Sequence, residues 1–153
     1  MSLRLEDVMV SEVIAVKADA AVEEAVKIMN KHEIGCLIVV NAAEKPVGIV
    51  TERDLLKRVL VKLRDPQTTK VSEIMSAPLI FGTPHMDVEV AARLMFQKKI
   101  KKLPVVENGN LVGLVTLTDL ARVQPELIRL LKRLSGKQIP PKRLKKVMDY
   151  YVT

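Results

Sequence analysis

The stretch GIVTERDL, residues 48–55, places the end of an apolar strand directly before a helix start, with a hydroxyl at Thr51 and a carboxylate at Asp54. It returns as GLVTLTDL, residues 113–120, with the threonine and the aspartate at the same positions. A threonine followed three residues later by an acidic side chain is typical of a helix N-terminus. The sequence therefore predicts the same strand-to-helix junction at two places in this chain.

The repetition extends well beyond these two octapeptides. An offset of 66 residues aligns LEDVM with VSEIM and carries through two strands, and the offset becomes 65 after one residue is lost in a turn. A missed repeat would misread the whole fold, so this alignment decides the organisation of the chain. It predicts a first repeat over residues 5–63, a linker over 64–70, a second repeat over 71–121 and a basic tail over 122–153.

Each repeat predicts the order strand, helix, strand, strand, helix. The first helix of each repeat begins near Val22 or Val88 and places apolar residues at i, i+3, i+4 and i+7. The Asn108-Gly109 pair is a strong hairpin signal. The strands are expected at Val13–Val16, Cys36–Val40 and Val47–Val50, then at Leu79–Phe81, Leu103–Val106 and Leu111–Val115. We therefore predict a mixed α/β (α+β) fold, with two pseudo-twofold-related repeats and small sheets covered by helices.

Composition excludes several classes of site. Cys36 is the only cysteine, so no disulfide within the chain and no thiolate-rich metal centre are expected. His32 and His85 have no spaced metal-ligating partners, and no base and orienter accompany a nucleophile, so neither a metal site nor an enzyme is predicted. The N-terminus lacks secretory features and no apolar run reaches membrane-spanning length. The expectation is a cytoplasmic protein without a membrane segment.

The duplicated Thr-x-x-Asp has two readings. One ionised carboxylate can accept hydrogen bonds from both hydroxyls of a ribose, while the threonine hydroxyl and free helix N–H groups can meet a phosphate. The glycine that precedes each threonine is expected to let a ligand approach the backbone. Alternatively, each aspartate only caps its helix. The occurrence of the whole set twice favours nucleotide binding.

The closing motifs, the amphipathic helices and the hairpins together resemble a tandem pair of cystathionine-beta-synthase (CBS) domains, the arrangement called a Bateman module, over residues 5–121. The resemblance implies a regulatory module that binds AMP, ADP, ATP or S-adenosylmethionine in clefts between the repeats and signals to a separate effector protein. It also implies a homodimer and no chemistry of the module's own.

The resemblance further implies two unequal clefts, each built across the repeats. Asp119, Thr116 and Thr118 would face Ile34, Gly35 and Cys36, while Asp54, Thr51 and Arg53 would face Ile100, Lys101 and Lys102. The ligand-binding set is completed by the apolar residues Ile14, Ile49, Ile80 and Leu114. The three cations make the Asp54 cleft the expected phosphate site, and the nearly neutral Asp119 cleft would suit an uncharged adenosine moiety, S-adenosylmethionine or no ligand.

Charge is concentrated in the tail. Residues 122–153 hold nine of the 25 Lys and Arg but two of the 18 Asp and Glu, so they carry the whole net charge of +7. A helix is predicted over Pro125–Leu134 with Leu127, Leu130, Leu131 and Leu134 on its apolar side, and a second helix over 140–152. These helices either pack on the body, with ordinary solvated basic faces, or bind an acidic protein or nucleic acid. A nucleic-acid-binding protein with the paired repeats as scaffold is therefore the alternative function.

Overall fold

The computed structural model describes residues 3–134, so the helix expected over 140–152 lies outside the described residues. No helix within 3–134 combines the length and apolarity that a bilayer crossing requires. The elements in chain order are α1 (Leu5–Val8), β1 (Ala15–Lys17), α2 (Val22–His32), β2 (Cys36–Val40), β3 (Pro46–Thr51), α3 (Glu52–Leu55), α4 (Val71–Ile74), α5 (Val88–Lys98), β4 (Lys102–Glu107), β5 (Asn110–Thr116), α6 (Leu117–Val123) and α7 (Pro125–Leu134). Helix α3 continues into a π-helical segment, Leu56–Leu60.

The two repeats form separate small sheets that confirm the predicted mixed fold. In the first repeat β1 runs parallel to β2, which pairs antiparallel with β3; in the second repeat β4 pairs antiparallel with β5. The predicted hairpin turn is present, with φ of 51° at Asn108 and 77° at Gly109. Positive φ at both central residues matches the right-handed twist of the flanking strands, which is why Asn-Gly suits this turn.

The strand predicted at Leu79–Phe81 is absent. This part of the second repeat makes one parallel bridge instead, between Gly82 and Val105. The Gly82 N–H donates to the Pro104 carbonyl at 2.9 Å, and the Val106 N–H donates to the Gly82 carbonyl at 2.9 Å. The prediction of a strand here was therefore wrong, although Gly82 pairs with the sheet in the parallel direction that a strand would have.

Two prolines explain the shortened ladder. In the first repeat the Ile38 N–H donates to the Ile14 carbonyl at 3.3 Å, and the Ala18 N–H donates to the Val40 carbonyl at 2.9 Å. The positions of these two donors are occupied in the second repeat by Pro104 and Pro84. Proline has no backbone N–H, so the ladder cannot extend on either side of the single bridge.

The leading segments of the repeats are exchanged. Leu5 of α1 is fully buried in the core of the second repeat, beside Val88 and Met95. Conversely, Val71 and Ile74 of α4 are fully buried in the core of the first repeat. Each repeat thus fills its core with a helix that precedes the other repeat in sequence.

Backbone hydrogen bonds fix both crossings. Val10 and Leu114 exchange two bonds of 2.9 Å each, and Ile49 and Ser76 exchange bonds of 3.0 and 2.8 Å. The close approach explains the glycine of the repeated octapeptide: a Cβ on Gly48 would lie 2.9 Å from the Ser76 carbonyl oxygen. Such a contact is shorter than packed atoms tolerate, so the crossing segment by itself requires a glycine at this position.

Helix α7 covers the helical face of the second repeat. Its Ile128 is 6% exposed and belongs to that repeat's core, with Leu127 and Leu131 packed beside it. Leu130, which was predicted on the apolar side, is 50% exposed. The buried side is therefore centred one residue away from the predicted side, because residues 124, 127, 128 and 131 follow the i, i+3, i+4, i+7 spacing. The basic residues Arg129, Lys132 and Arg133 are exposed.

We predict that Ile128→Ala lowers the free energy of unfolding by about 2–5 kcal/mol, since it empties a buried site. Leu130→Ala on the same helix is the matched control and should change it by less than about 0.5 kcal/mol. Chemical denaturation of both variants measures the difference. Equal effects would show that α7 does not seal the core through Ile128.

Candidate ligand-binding site

A cavity of about 250 Å³ lies where the exchanged leading segment meets both repeats. The segment before β1 forms one wall, the starts of β2 and β4 form another, and the junction of β5 with α6 closes the site. The lining is mostly apolar and includes a few polar groups, as in many small-molecule sites. Its residues are Val10, Glu12, Val13, Ile14, Ile34, Gly35, Cys36, Ile38, Lys102, Leu114, Thr116 and Asp119.

Asp119 is held at the cavity by reciprocal capping with Thr116. The Thr116 N–H donates to Oδ2 of Asp119 at 3.0 Å, and the Asp119 N–H donates to Oγ1 of Thr116 at 3.1 Å. This confirms that the duplicated motif starts a helix, through a capping box. Of the two carboxylate oxygens, only Oδ2 accepts a hydrogen bond from Thr116. Within residues 3–134, Oδ1 has no protein donor, and the carboxylate is partly exposed. It can therefore cap the helix and still accept a ligand hydroxyl.

The structure brings eight of the predicted ligand-binding residues together in this cavity: Ile14, Ile34, Gly35, Cys36, Lys102, Leu114, Thr116 and Asp119. Thr118 is exposed and lies outside the lining. The sequence interpretation did not include Val10, Glu12, Val13 or Ile38. Three of them precede β1, and they reach the cavity because the leading segment pairs with β5. The repeat alignment marks Val10 as the equivalent of Ser76, but it cannot show which sheet either residue joins.

Lys102 lies in the Asp119 cavity, whereas the sequence interpretation grouped it with Asp54. Strand register explains the difference. Lys102 is paired directly with Thr116 across the β4–β5 ladder, and directly opposed residues project to the same face of a sheet. The ammonium also lies close to Gly35, since a Cβ there would be 3.1 Å from the Lys102 Nζ atom.

Cys36 faces Lys102 from the other repeat. The two residues occupy equivalent positions, at an offset of 66, so they meet where the repeats join. Burial raises the pKa of the Cys36 thiol above its usual value, and the neighbouring Lys102 ammonium opposes that rise by favouring the thiolate. The thiol therefore lines the cavity in its neutral form at neutral pH.

Asp54 is more buried than Asp119 and has more hydrogen-bond partners. It is 7% exposed, and the Thr51 N–H and hydroxyl lie 3.0 and 3.2 Å from its Oδ2. The Ser76 hydroxyl donates to Oδ1 at 3.0 Å, and a guanidinium nitrogen of Arg58 lies 3.9 Å from that oxygen. Both carboxylate oxygens thus have partners within the protein.

The other residues predicted around Asp54 lie outside the Asp119 cavity. Arg53 and Lys101 are exposed. Ile80 and Ile100 pack against the core of the second repeat, and the backbone of Ile49 forms a bridge to Ser76. Of the three cations predicted around Asp54, Lys102 lines the Asp119 cavity instead, so the charge of the clefts differs from the prediction at this residue.

Comparison with known proteins identifies the architecture. The sequence model of the CBS domain matches residues 5–61 and 71–126. The chain is 41% identical to uncharacterized protein MK0525 of Methanopyrus kandleri over 111 residues, 72% of this chain and 56% of that protein, so it spans about half the length of that relative. It is 40% identical to the CBS domain-containing protein YhcV of Bacillus subtilis over 117 residues, 76% of this chain and 82% of that protein.

Solved structures give the same result. A conserved CBS domain protein of unknown function from Thermoplasma acidophilum, TA0289, has a TM-score of 0.76 and 30% identity, covering 87% of this chain and 78% of that chain. A hexameric CBS-CP12 protein from bloom-forming cyanobacteria has a TM-score of 0.72 and 35% identity, covering 78% of this chain and 67% of that chain.

We predict that Lys102→Met slows alkylation of Cys36 by a maleimide at fixed pH. Loss of the ammonium removes the group that favours the thiolate, so the pKa of the thiol should rise further and less thiolate should be present. Lys101→Met, which changes an exposed neighbour, is the control and should react at the wild-type rate. Equal slowing in both variants would contradict the placement of Lys102 beside the thiol.

Proposed function

The chain belongs to the CBS domain family, and from that premise we propose that it is a regulatory module that binds an adenosine-containing small molecule in the cavity beside Asp119. The observation that carries the proposal is the state of the Asp119 carboxylate: it is fixed by capping through Oδ2, and Oδ1 has no donor within the described residues. The bound molecule would act as a signal, and the module would have no chemistry of its own.

The geometry supports a ribose at Asp119. A ribose presents two adjacent hydroxyls, and bonds from hydroxyls to a carboxylate are charge-assisted and stronger than neutral ones. The apolar side chains of Ile14, Ile34 and Leu114 line the same cavity and offer a surface for a base. Gly35 leaves room near the entrance of β2, where a side chain would meet Lys102 and Glu52.

Charge and size favour a ligand with few phosphates. The lining contains one cation, Lys102, and two carboxylates, Glu12 and Asp119. The volume of about 250 Å³ is slightly below the lower end, roughly 300 Å³, of common small-molecule sites. AMP or S-adenosylmethionine therefore suits the cavity better than ATP, whose additional phosphates would need cations that the lining does not provide.

Binding would act on the arrangement of the repeats. The cavity is walled by the leading segment, by β2 and the residues before it in the first repeat, and by β4, β5 and the start of α6 in the second, so an occupant contacts all three parts. A ligand that prefers one arrangement of these parts shifts the population toward it. We propose that a separate effector protein reads this shift, and that self-association, as in the hexameric relative, is part of the assembly.

We predict that AMP or S-adenosylmethionine raises the melting temperature, and that Asp119→Asn weakens binding about ten- to a hundredfold. The loss corresponds to about 1.5–3 kcal/mol for hydrogen bonds to a charged group. Asp54→Asn is the matched control and should retain the wild-type dissociation constant, whatever its effect on stability. Titration calorimetry on the folded proteins decides between the two sites. A flat thermal response to AMP, ADP, ATP, S-adenosylmethionine and NAD would contradict the proposal.

A second prediction concerns the single cation of the cavity. Lys102→Met should weaken AMP binding and leave adenosine binding nearly unchanged, since only the phosphorylated ligand presents charge to the ammonium. Lys101→Met should affect neither ligand. Calorimetric titration with both ligands measures the ratio of dissociation constants. Equal weakening of AMP and adenosine in Lys102→Met would mean that the ammonium does not contact the phosphate.

A further inference from the structure

We infer that Ser76 and Arg58 close the Asp54 cleft to ribose-bearing ligands, so that the module binds one ligand per chain although its motif is duplicated. The inference rests on the proposed function at Asp119 and adds the selectivity of the second cleft. Two residues outside the repeated octapeptide thus determine which aspartate can bind a ligand.

Ser76 stands in for a ligand hydroxyl. Its side chain donates to Oδ1 of Asp54 at 3.0 Å, which is the kind of bond that a ribose hydroxyl would make. The backbone of Ser76 is fixed by two hydrogen bonds to Ile49, so the hydroxyl is held at the carboxylate by the crossing segment itself. A ligand would have to replace a bond that is already formed and preorganised.

Arg58 holds the same arrangement from the helix side. Its Nη1 atom donates to the carbonyls of Ile74 and Met75 at 3.1 and 2.7 Å, and lies 3.9 Å from Oδ1 of Asp54. The guanidinium therefore ties the end of α4 to the π-helical segment after α3 while it faces the carboxylate. Displacement of the Ser76 segment by a ligand would also leave these carbonyls without that donor.

The equivalent positions in the second repeat contain no such groups. Val10 replaces Ser76 at an offset of 66, and Val123 replaces Arg58 at an offset of 65. Neither valine side chain can donate a hydrogen bond. The hydroxyl and the guanidinium thus occur on one side only, and Asp119 keeps an oxygen for the ligand whereas Asp54 does not.

A ligand at Asp54 would exchange one hydrogen bond for another. A ribose hydroxyl that replaces the Ser76 hydroxyl gains one charge-assisted bond and breaks another of the same type, so the net gain is small. It also separates a buried carboxylate from a neighbouring guanidinium, which costs free energy. At Asp119 the described residues place no donor on Oδ1 that a ligand would have to displace.

The experiment exchanges these residues between the clefts. The double variant Ser76→Val with Arg58→Val gives the Asp54 cleft the side chains that the Asp119 cleft has at these two positions. Titration calorimetry with AMP should show one site in the wild type and two in the variant. Wild type with two sites of similar affinity, or a folded variant that shows no site beyond those of the wild type, would overturn the inference.

The reciprocal graft keeps the test available if the first variant does not fold. Val10 and Val123 are 53% and 40% exposed, so Val10→Ser with Val123→Arg should leave the fold intact. It should weaken AMP binding at Asp119 by about tenfold or more. Unchanged affinity would contradict the inference.

The outcomes separate the inference from the proposed function. Absence of binding in the wild type with one site in the Ser76→Val, Arg58→Val variant would reject the function proposed at Asp119 and support closure at Asp54. One site in the wild type that is lost in Asp119→Asn, with no site gained in the double variant, would do the opposite. Absence of binding in both proteins would reject both.

Discussion

The exchange of leading segments between the repeats is the constraint on which the rest of this structure depends. Leu5 completes the core of the second repeat, and Val71 and Ile74 complete that of the first. A unit of about 60 residues buries too little surface to be stable with a large margin, so each repeat gains from a helix supplied by the other. The glycine before each Thr-x-x-Asp is part of this arrangement, since it lets the crossing backbone approach the strand.

The same exchange determines the chemistry of the two clefts. Each crossing segment ends beside the aspartate of the repeat that receives it, so the residue at that end sets the aspartate's partners. Ser76 satisfies Asp54, while Val10 leaves Asp119 without an added donor. A duplicated motif thus gives two structurally equivalent carboxylates that differ in the protein donors they have within the described residues. Lys102 and Cys36, at the junction of the repeats, complete the open cavity.

The sequence predicted the features that depend on local patterns. The helices beginning at Val22 and Val88, the hairpin at Asn108-Gly109 and the capping at Thr51 and Thr116 follow from periodicity, turn chemistry and spacing. The absence of a strand before α5 also has a cause in the sequence, because Pro84 and Pro104 lack the two N–H groups that extend the ladder in the first repeat. Their effect can be recognised only when the ladder register is known. The exchange of leading segments had no such signal, because the repeat offset is the same whichever core a segment joins. The prediction also grouped Lys102 with the wrong aspartate. The neighbours of Lys102 depend on the β4–β5 register, which the sequence does not show.

We propose that the ligand lies in the Asp119 cavity and not in the Asp54 cleft. A crystal structure of the protein grown with AMP distinguishes these two sites. We expect one nucleotide per chain, with a ribose hydroxyl within hydrogen-bonding distance of the Asp119 carboxylate and the base against Ile34 and Leu114. A nucleotide whose ribose is bound by Asp54, with the Ser76 hydroxyl displaced from it, would show that the ligand site is the other cleft.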